Sequence, residues 1–570
     1  MELLFIFQLL LYVFGGFLSL FVSAEKKNLN SWTHLVAALA AGCGLASSIM
    51  VLFRNAHLSF CFPSGITLFG PLELAMDPLS AFFVFVISFL SLAASIFAVG
   101  YSREYQEKKN VSLLGFLYHF FILSMVLVVT AKNIFYFLIF WELMSITSYF
   151  LVVYEHEKPA ARKAGLIYFV MTHIGTAFIT AAFILLYVHS GSFHFDSFGA
   201  NASPLNFAWK NAIFLCALIG FGTKAGIIPL HIWLPEAHPQ APSHVSALMS
   251  GVMIKTAIYG LLRFLFNFLG TPFPWWGGLI LVFAALSTIL GVLYALMEHD
   301  LKRLLAFHSI ENIGIILLGI GMAVFFNATN QPIFASFALI AALYHTMNHA
   351  AFKGLLFLGA GAVISKAHTG NMEELGGLIK KMPWTAVCFL IGAVAISALP
   401  PLNGFVSEWL TFVSLLMGFK NGSAGIRLLT PVLAALLGFA SALVATCFVK
   451  VFGITFLGTA RSEHARQSSE VDFSMKLGMG MLAACCIIFA LSAPVITFLL
   501  GKVTQALFGS EALPLHFVRT TFLMDPAALS QLNPMWVFVV VAVTIVCVWA
   551  DTGFVWQRKR SDRAELGLRF

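Results

Sequence analysis

Apolar runs of bilayer length follow one another along almost the whole chain, and they restrict what it can become. About 20 apolar residues cross the hydrocarbon core as a helix, and on that measure the 570 residues hold about 15 spans. Inside a bilayer every backbone polar group must be satisfied within the protein, so a string of such runs becomes a helix bundle. The composition agrees. Hydrophobic residues make up 60% and charged residues 10%, with mean hydropathy +0.91, where a soluble domain carries roughly 25% charged residues. The expected class is an all-α polytopic membrane protein. No long polar stretch is left for a soluble domain, so nucleotide or redox chemistry has to come from a partner.

Net charge is +8, and most of the 33 Lys and Arg fall in alternate loops. These lie near Lys26, Arg103, Lys158, Lys302, Lys380 and Arg466, and in the tail QRKRSDR. The positive-inside rule makes that side cytoplasmic. The N-terminus is then outside, the C-terminus inside, and the bacterial inner membrane is the expected location. The basic loops read as topology determinants, and no nucleic-acid partner is expected. The opening MELLFIFQLLLYVFGG lacks a basic start, which favours a retained first span over a signal peptide. The eight cysteines are scattered without CxxC or ligand spacing. Neither an iron–sulfur cluster nor a disulfide framework is expected, and no cofactor or metal.

Residues 1–111 hold spans one to three. Between the second and third, HLSFCFPSGITLFGPLELAMD alternates around Pro63, Ser64 and Gly65, which predicts a short hairpin on the outside. Residues 112–267 and 277–456 form two blocks of five spans. Residues 457–570 hold a span near 476–500, a proline-punctuated surface segment over 502–533, a last span over 535–552 and the basic tail. Corresponding spans of the two blocks are interrupted: 212–234 at Pro229, and 385–416 at Pro400 and Pro401. A proline removes a helix hydrogen bond and clashes with the preceding turn. Interrupted segments at matching positions of two halves point to inverted repeats.

The ionisable residues sit near these interruptions. Lys224 lies five residues before Pro229, and Lys255 is deep in the next span. A charge at mid-bilayer costs about 2.5–3.5 kcal/mol on insertion scales, so such residues mark ion or proton routes. A lysine held away from water gives up its proton more readily than one in solvent, which suits Lys224 as a carrier. Glu142, in IFWELMSITSYFLVV, reads as its partner; the alternative is a structural ion pair. Lys255 reads as a relay between the halves and Arg263 as an interfacial anchor.

His345, His349 and Lys353 follow i, i+4, i+8 spacing and share one helix face. Histidine titrates near neutrality and suits a relay. Two histidines at i, i+4 also fit zinc, but no third ligand follows at suitable spacing. Glu408 is the counterpart group of the second block, or a carboxylate at a half-helix end. His231, Glu236, His238 and His244 either feed an entry funnel or cap helices. Lys302 and Arg303 set topology, while His308 and Glu311 lie deeper as relay candidates. No phosphate loop, nucleophile elbow or metal box is present. The ionisable residues form a string across the membrane plane, so no bond-breaking catalytic centre is expected.

These motifs carry a resemblance. KAGIIPLHIWLPEAHPQAPSHVSALMSGVMIKTAIYGLLRF resembles the core of the antiporter-like subunits of respiratory complex I and multisubunit Na+/H+ antiporters. HDLKRLLAFHSIENIGIILLGIG, YHTMNHAAFKGLLFLGAGAVI and LPPLNGFVSEW extend it over about 112–456. HDLKRLLAFHSIENIGIILLG and LPPLNGFVSEW are most similar to the large membrane subunit of formate hydrogenlyase and related energy-converting [NiFe] hydrogenases. Complex I members usually carry Ser-Gln where this chain has Glu311 and Asn312. The resemblance implies two inverted five-helix repeats, Glu142 and Lys224 as the first channel's pair, and Lys255 with His345 and His349 as the central relay. Glu408 ends the second channel. It also implies other membrane subunits and a peripheral redox module as partners, such as a [NiFe] hydrogenase with iron–sulfur subunits. Moving one proton against 100 mV costs about 2.3 kcal/mol, so the energy comes from elsewhere in such a complex. Other readings of the same residues are a Na+/H+ antiporter subunit, a proton-conducting subunit of an inorganic-carbon uptake complex, and a non-conducting membrane anchor.

Overall fold

A computed structural model describes residues 1–21, 27–62, 70–105, 109–199 and 205–509, with 540, 541, 543 and 544. Apart from those four positions, the surface segment beyond residue 509, the last expected span (535–552) and the basic tail lie outside the described residues. The chain is a bundle of α1 (Glu2–Ser19), α2 (Lys27–Arg54), α3 (Pro78–Tyr101), α4 (Val111–Thr130), α5 (Ile134–Val152) and α6 (Pro159–Ser190). It continues through α7 (Phe207–Ala225), α8 (Trp233–Gln240), α9 (Ser243–Phe268), α10 (Pro274–Met297), α11 (Leu301–Ala328) and α12 (Pro332–Ala367). The described part closes with α13 (Pro383–Ile396), α14 (Asn403–Asn421), α15 (Ala424–Phe456), α16 (Phe473–Leu491) and α17 (Ala493–Phe508). Among the described residues, 12 helices are long and apolar enough to cross a membrane; α13 and α17 are shorter apolar helices.

The strands of the expected hairpin are β1 (Leu58–Phe62) and β2 (Leu72–Met76), paired antiparallel; its turn around Pro63, Ser64 and Gly65 lies outside the described residues. Strand β2 delivers Asp77 as the N-cap of α3, accepting from the Ser80 N–H at 2.9 Å. Helices α9 and α11 are buried along their length, whereas α1, α6 and α15 turn apolar faces outward. A helix apolar all round belongs inside a bundle. The titratable residues of α9 and α11 therefore lie deep inside the bundle.

Both predicted interruptions occur, each with a cis X-Pro bond. Helix α7 stops at Gly226, which takes a left-handed conformation (φ 77°). Its freed polar groups find partners: Trp233 Nε1 donates to the Thr223 carbonyl at 2.8 Å and the Ile228 N–H donates to Ser287 Oγ at 3.0 Å. That is what a break at membrane depth requires. At the second break, α13 ends at Ile396 and α14 begins at Asn403, whose carbonyl accepts from Asn348 Nδ2 at 2.8 Å.

A third break was not foreseen. The span expected over 476–500 is α16 followed by α17, parted at Ser492 just before Pro494. Proline supplies no N–H to the preceding turn, and the Tyr344 hydroxyl donates to the Phe489 carbonyl there. Helix α9 is also irregular, with wide five-residue turns over Met249–Met253 and Arg263–Phe268 on either side of Lys255. Such turns recur at functional positions in helices.

Arg263 is an anchor of a different kind from the interfacial one expected. Its guanidinium lies 2.6 Å from Asp77 Oδ1, 2.9 Å from Ser80 Oγ and 3.1 Å from the Tyr259 hydroxyl, beside a cavity of about 230 Å³. Burial alone would raise the Asp77 carboxyl, but the Arg263 charge and hydrogen bond hold it well below the usual carboxylate range. Because the folded value is depressed, this contribution to stability is present above the carboxylate's unfolded value and is lost as pH falls. Removing one partner of a buried pair costs about 3–5 kcal/mol. Arg263→Met is therefore expected to lower the thermal midpoint sharply at neutral pH. The loss should shrink in acid; an unchanged midpoint would assign the pair no structural weight.

Candidate functional site

The first cluster surrounds Lys224, 2% exposed in the last turn of α7. Its Nζ donates to Ser145 Oγ on α5 and to the Tyr168 hydroxyl on α6, each at 3.0 Å. It also lies over the Tyr168 and Trp141 rings, at 5.2 and 5.9 Å. Glu142, read as its partner, makes no close ion pair with Lys224 but acts on it through its charge. Its carboxylate lies 3.5 Å from His173 Nε2 on α6, and both side chains are partly exposed among apolar neighbours such as Ile139, Phe169 and Val170. Ser145 shares the α5 face of Glu142 at i+3, so a hydroxyl one turn away meets the lysine, while the carboxylate has one oxygen at His173 and the other buried.

Tyr168 leads onward. Its hydroxyl lies 2.6 Å from Ser148 Oγ and 3.6 Å from Met253 Sδ, two residues from Lys255. Lys255 is 1% exposed, and its Nζ donates to the Ser250 carbonyl at 2.5 Å, inside the first wide turn of α9. Ser250 Oγ is 2.7 Å from Ser309 Oγ, which joins α9 to α11 beside His308.

On α11, α12 and α14 the polar groups form a continuous chain. His308 Nδ1 is 3.2 Å from Glu311 Oε2, and Asn312 Nδ2 donates to the same oxygen at 2.6 Å. That bond leaves Asn312 Oδ1 for His345 Nε2 at 3.1 Å, and His345 Nδ1 meets Ser407 Oγ at 3.0 Å. Ser407 precedes Glu408, whose Oε2 accepts from Ser441 Oγ on α15 at 2.6 Å. Gly291 positions this chain, because a Cβ there would meet the Glu311 backbone at 2.7 Å. His345 and His349 stack with ring centroids 6.5 Å apart, and Lys353 Nζ lies 5.9 Å from the Phe357 ring. Among the described residues, His349 and Lys353 have no hydrogen-bond partner.

This hydrogen-bonded chain allows His345 to exchange a proton without stranding a polar group. With its proton on Nε2, the ring donates to Asn312 and accepts from the Ser407 hydroxyl. Once doubly protonated, Nδ1–H donates instead, and Ser407 can turn its hydroxyl to the Gly404 carbonyl 3.1 Å away. Both states keep every group hydrogen-bonded, as a dry interior demands.

His231 is half-buried, its ring 6.4 Å from Tyr294 and apart from this chain. Lys302 and Arg303, expected to set topology, are tied into the turn and loop beside α8. Lys302 Nζ donates to the Ala241 and Pro239 carbonyls at 2.7 and 3.3 Å, and Arg303 bridges Glu236 and Glu298 at 3.0 and 2.9 Å. Among the described residues no group of three or more metal-ligating side chains could hold an ion. Sequence reasoning missed Ser145, Tyr168, Ser250, Ser309, Asn312 and Ser407. Neutral hydroxyls and amides abound in any chain, and only Ser145, by its spacing from Glu142, had a local signal.

Known proteins are similar to this chain in sequence and fold. Residues 131–435 fit the family model described as "NADH:quinone oxidoreductase/Mrp antiporter, TM". Hydrogenase-4 component B of Escherichia coli (strain K12) is 44% identical over 488 residues, covering 85% of this chain and 72% of that protein. Formate hydrogenlyase subunit 3 of the same strain is 35% identical over 530 residues, covering 92% and 82%. In fold, a chain of respiratory complex I from Thermus thermophilus superposes with a TM-score of 0.73 at 22% identity, covering 89% of this chain and 99% of that one.

Proposed function

The chain belongs to the NADH:quinone oxidoreductase/Mrp antiporter transmembrane family, as a multi-pass antiporter-like subunit, and we propose that it carries protons across the membrane within a larger redox complex. The observation that carries this reading is the chain Glu311–Asn312–His345–Ser407, hydrogen-bonded end to end in the bundle interior and adjoining Glu408. Lys224, held by Ser145 and Tyr168, is the first switchable carrier, and Lys255 hands the proton on through Ser250 and Ser309 toward His308 and Glu311. His345, His349 and Lys353 form the central relay and Glu408 the terminal group. The two broken segments, at Pro229 and at Pro400 and Pro401, are matching parts of two inverted five-helix repeats, 112–267 and 277–456.

The basic loops make their face the cytoplasmic one by the positive-inside rule. Glu142 and His173 are costly on a lipid-facing surface, which supports a neighbouring membrane subunit over that part of α5 and α6. A peripheral redox module of hydrogenase type supplies the energy, in keeping with the names of the two relatives.

Inside-out vesicles energised by electron transfer through the complex that co-purifies in mild detergent provide the test. Glu408→Gln keeps the shape and the hydrogen bond to Ser441 but cannot cycle a proton. We expect electron transfer and assembly to persist while coupled acidification is lost. Unchanged acidification would identify a mere membrane anchor, and a pH change that requires sodium would identify sodium antiport instead.

A further inference from the structure

Between the helices that precede the first block and the block itself lies a second group of titratable rings. His34 on α2 and His244 at the start of α9 are fully buried, with ring centroids 6.0 Å apart. Tyr118 closes over both, 5.5 Å from His34 and 5.2 Å from His244, and Tyr101 lies 5.5 Å from His244. The tyrosine hydroxyls point elsewhere: Tyr118 to Ser95 Oγ at 2.9 Å, and Tyr101 to Ser243 Oγ at 3.1 Å. Among the described residues, none of the ring nitrogens of His34 or His244 has a hydrogen-bond partner. A neutral imidazole presents one donor and one acceptor, and buried polar groups are nearly always paired. Two such rings side by side therefore call for bound water, which bridges about three groups at a time.

We infer that water held between His34 and His244 makes this pair a lateral proton input, leading from the basic face to the turn between α8 and α9. It rests on the proton-carrying reading above and adds a route that reading does not contain. At one end, one turn from His34, Asn30 Nδ2 donates to Ser102 Oγ at 2.9 Å, near the ends of α2 and α3 that border the basic loops. At the other end, His244 adjoins the turn that Lys302 braces through the Pro239 and Ala241 carbonyls. Ser246 Oγ ties the same turn to the His238 carbonyl at 2.8 Å. Beyond the turn, the buried His238 ring lies 6.1 Å from Phe357, the ring on which Lys353 rests. In each step one ring nitrogen takes the excess proton from a protonated water while the other releases one to the next water, and a tautomer shift through the same water restores the starting ring. Only N–H and O–H bonds are exchanged, and the ring returns to neutrality.

Hydroxyl-radical labelling of the full chain in its co-purified complex tests the water directly, since radicals formed from bound water mark adjacent side chains. Tyr118 and His244 are expected to label readily, while Tyr344, equally buried with its hydroxyl on the Phe489 carbonyl, stays protected. Protection of Tyr118 and His244 equal to that of Tyr344 would overturn the inference, whatever any variant does. His34→Gln and His244→Gln keep hydrogen-bonding groups but carry no proton. Each should slow coupled proton movement several-fold at unchanged electron transfer. Labelling without that slowing would mean a closed water pocket and would also overturn it. Lys224→Met is run alongside: if it too leaves proton movement intact, the relay reading itself fails, and the input with it.

Discussion

Lys224→Met is expected to abolish coupled proton movement while the complex still assembles and passes electrons. Methionine matches the length of the lysine stem, and the site is already walled by Trp141 and Tyr168. The ammonium is hydrogen-bonded to two neutral hydroxyls. Its removal therefore does not strand a tightly paired opposite charge, the case in which loss of one partner is most costly, and the fold should tolerate it. Tyr168 keeps Ser148 as a partner when the ammonium is gone. The rate is another matter. A positioned proton-transfer group contributes about 10²–10⁴-fold, and acidification should fall by at least the lower figure. Lys224→Arg separates a proton carrier from a fixed charge. Guanidinium keeps the positive charge but does not release its proton in a protein, so the arginine variant should be as inactive as methionine. Initial rates of vesicle acidification, set against electron transfer in the same vesicles, decide it. Activity retained by Lys224→Arg would make the lysine an electrostatic fixture, not a carrier.

Gly404→Ala is expected to be the most damaging single methyl group in the second half. After Pro400 and Pro401 the chain enters α14 so close to the end of α13 that a Cβ at residue 404 would sit 1.8 Å from the Ala395 carbonyl oxygen. Overpacking typically costs about 1–3 kcal/mol when side chains can adjust. Here the obstacle is backbone, and Ser407 and Glu408 lie on the first turns of the displaced helix. The effect should therefore reach or exceed the top of that range, seen as a lower thermal midpoint in detergent and less assembled complex. Protein that does assemble should pump slowly, since His345 would lose its 3.0 Å contact with Ser407. Gly453→Ala on α15 is the control. Nothing lies within 4 Å of a Cβ there, and alanine gains up to about 1 kcal/mol of helix propensity over glycine. Equal damage at both positions would refute the close-approach argument.

Both substitutions lie in stretches that stand out in the one-dimensional chain. Lys224 is visible because a charge within an apolar run has few tolerable explanations. The Pro229 and Pro400–Pro401 interruptions are visible because proline cannot continue a helix. The hairpin ahead of α3 shows in its alternation. The break at Ser492 escaped notice because Pro494 sits inside an apolar run with no charge beside it. The wide turns flanking Lys255 leave no compositional mark at all.

The sequence by itself determined that this is a bundle of apolar helices, where two of them break, and which charged and imidazole side chains lie at depth. Those are local properties, set by hydropathy and by the backbone chemistry of proline. Only the tertiary structure decided the partners. Lys224 meets Ser145 and Tyr168 while Glu142 faces His173; Asn312 and Ser407 complete the chain through His345; Arg263 is locked to Asp77. The reason is that a buried polar group takes whichever partner the packing of distant helices brings within 3 Å, and a neutral hydroxyl or amide serves as well as a charge. Nothing in the order of residues along one helix records which face of another it will meet.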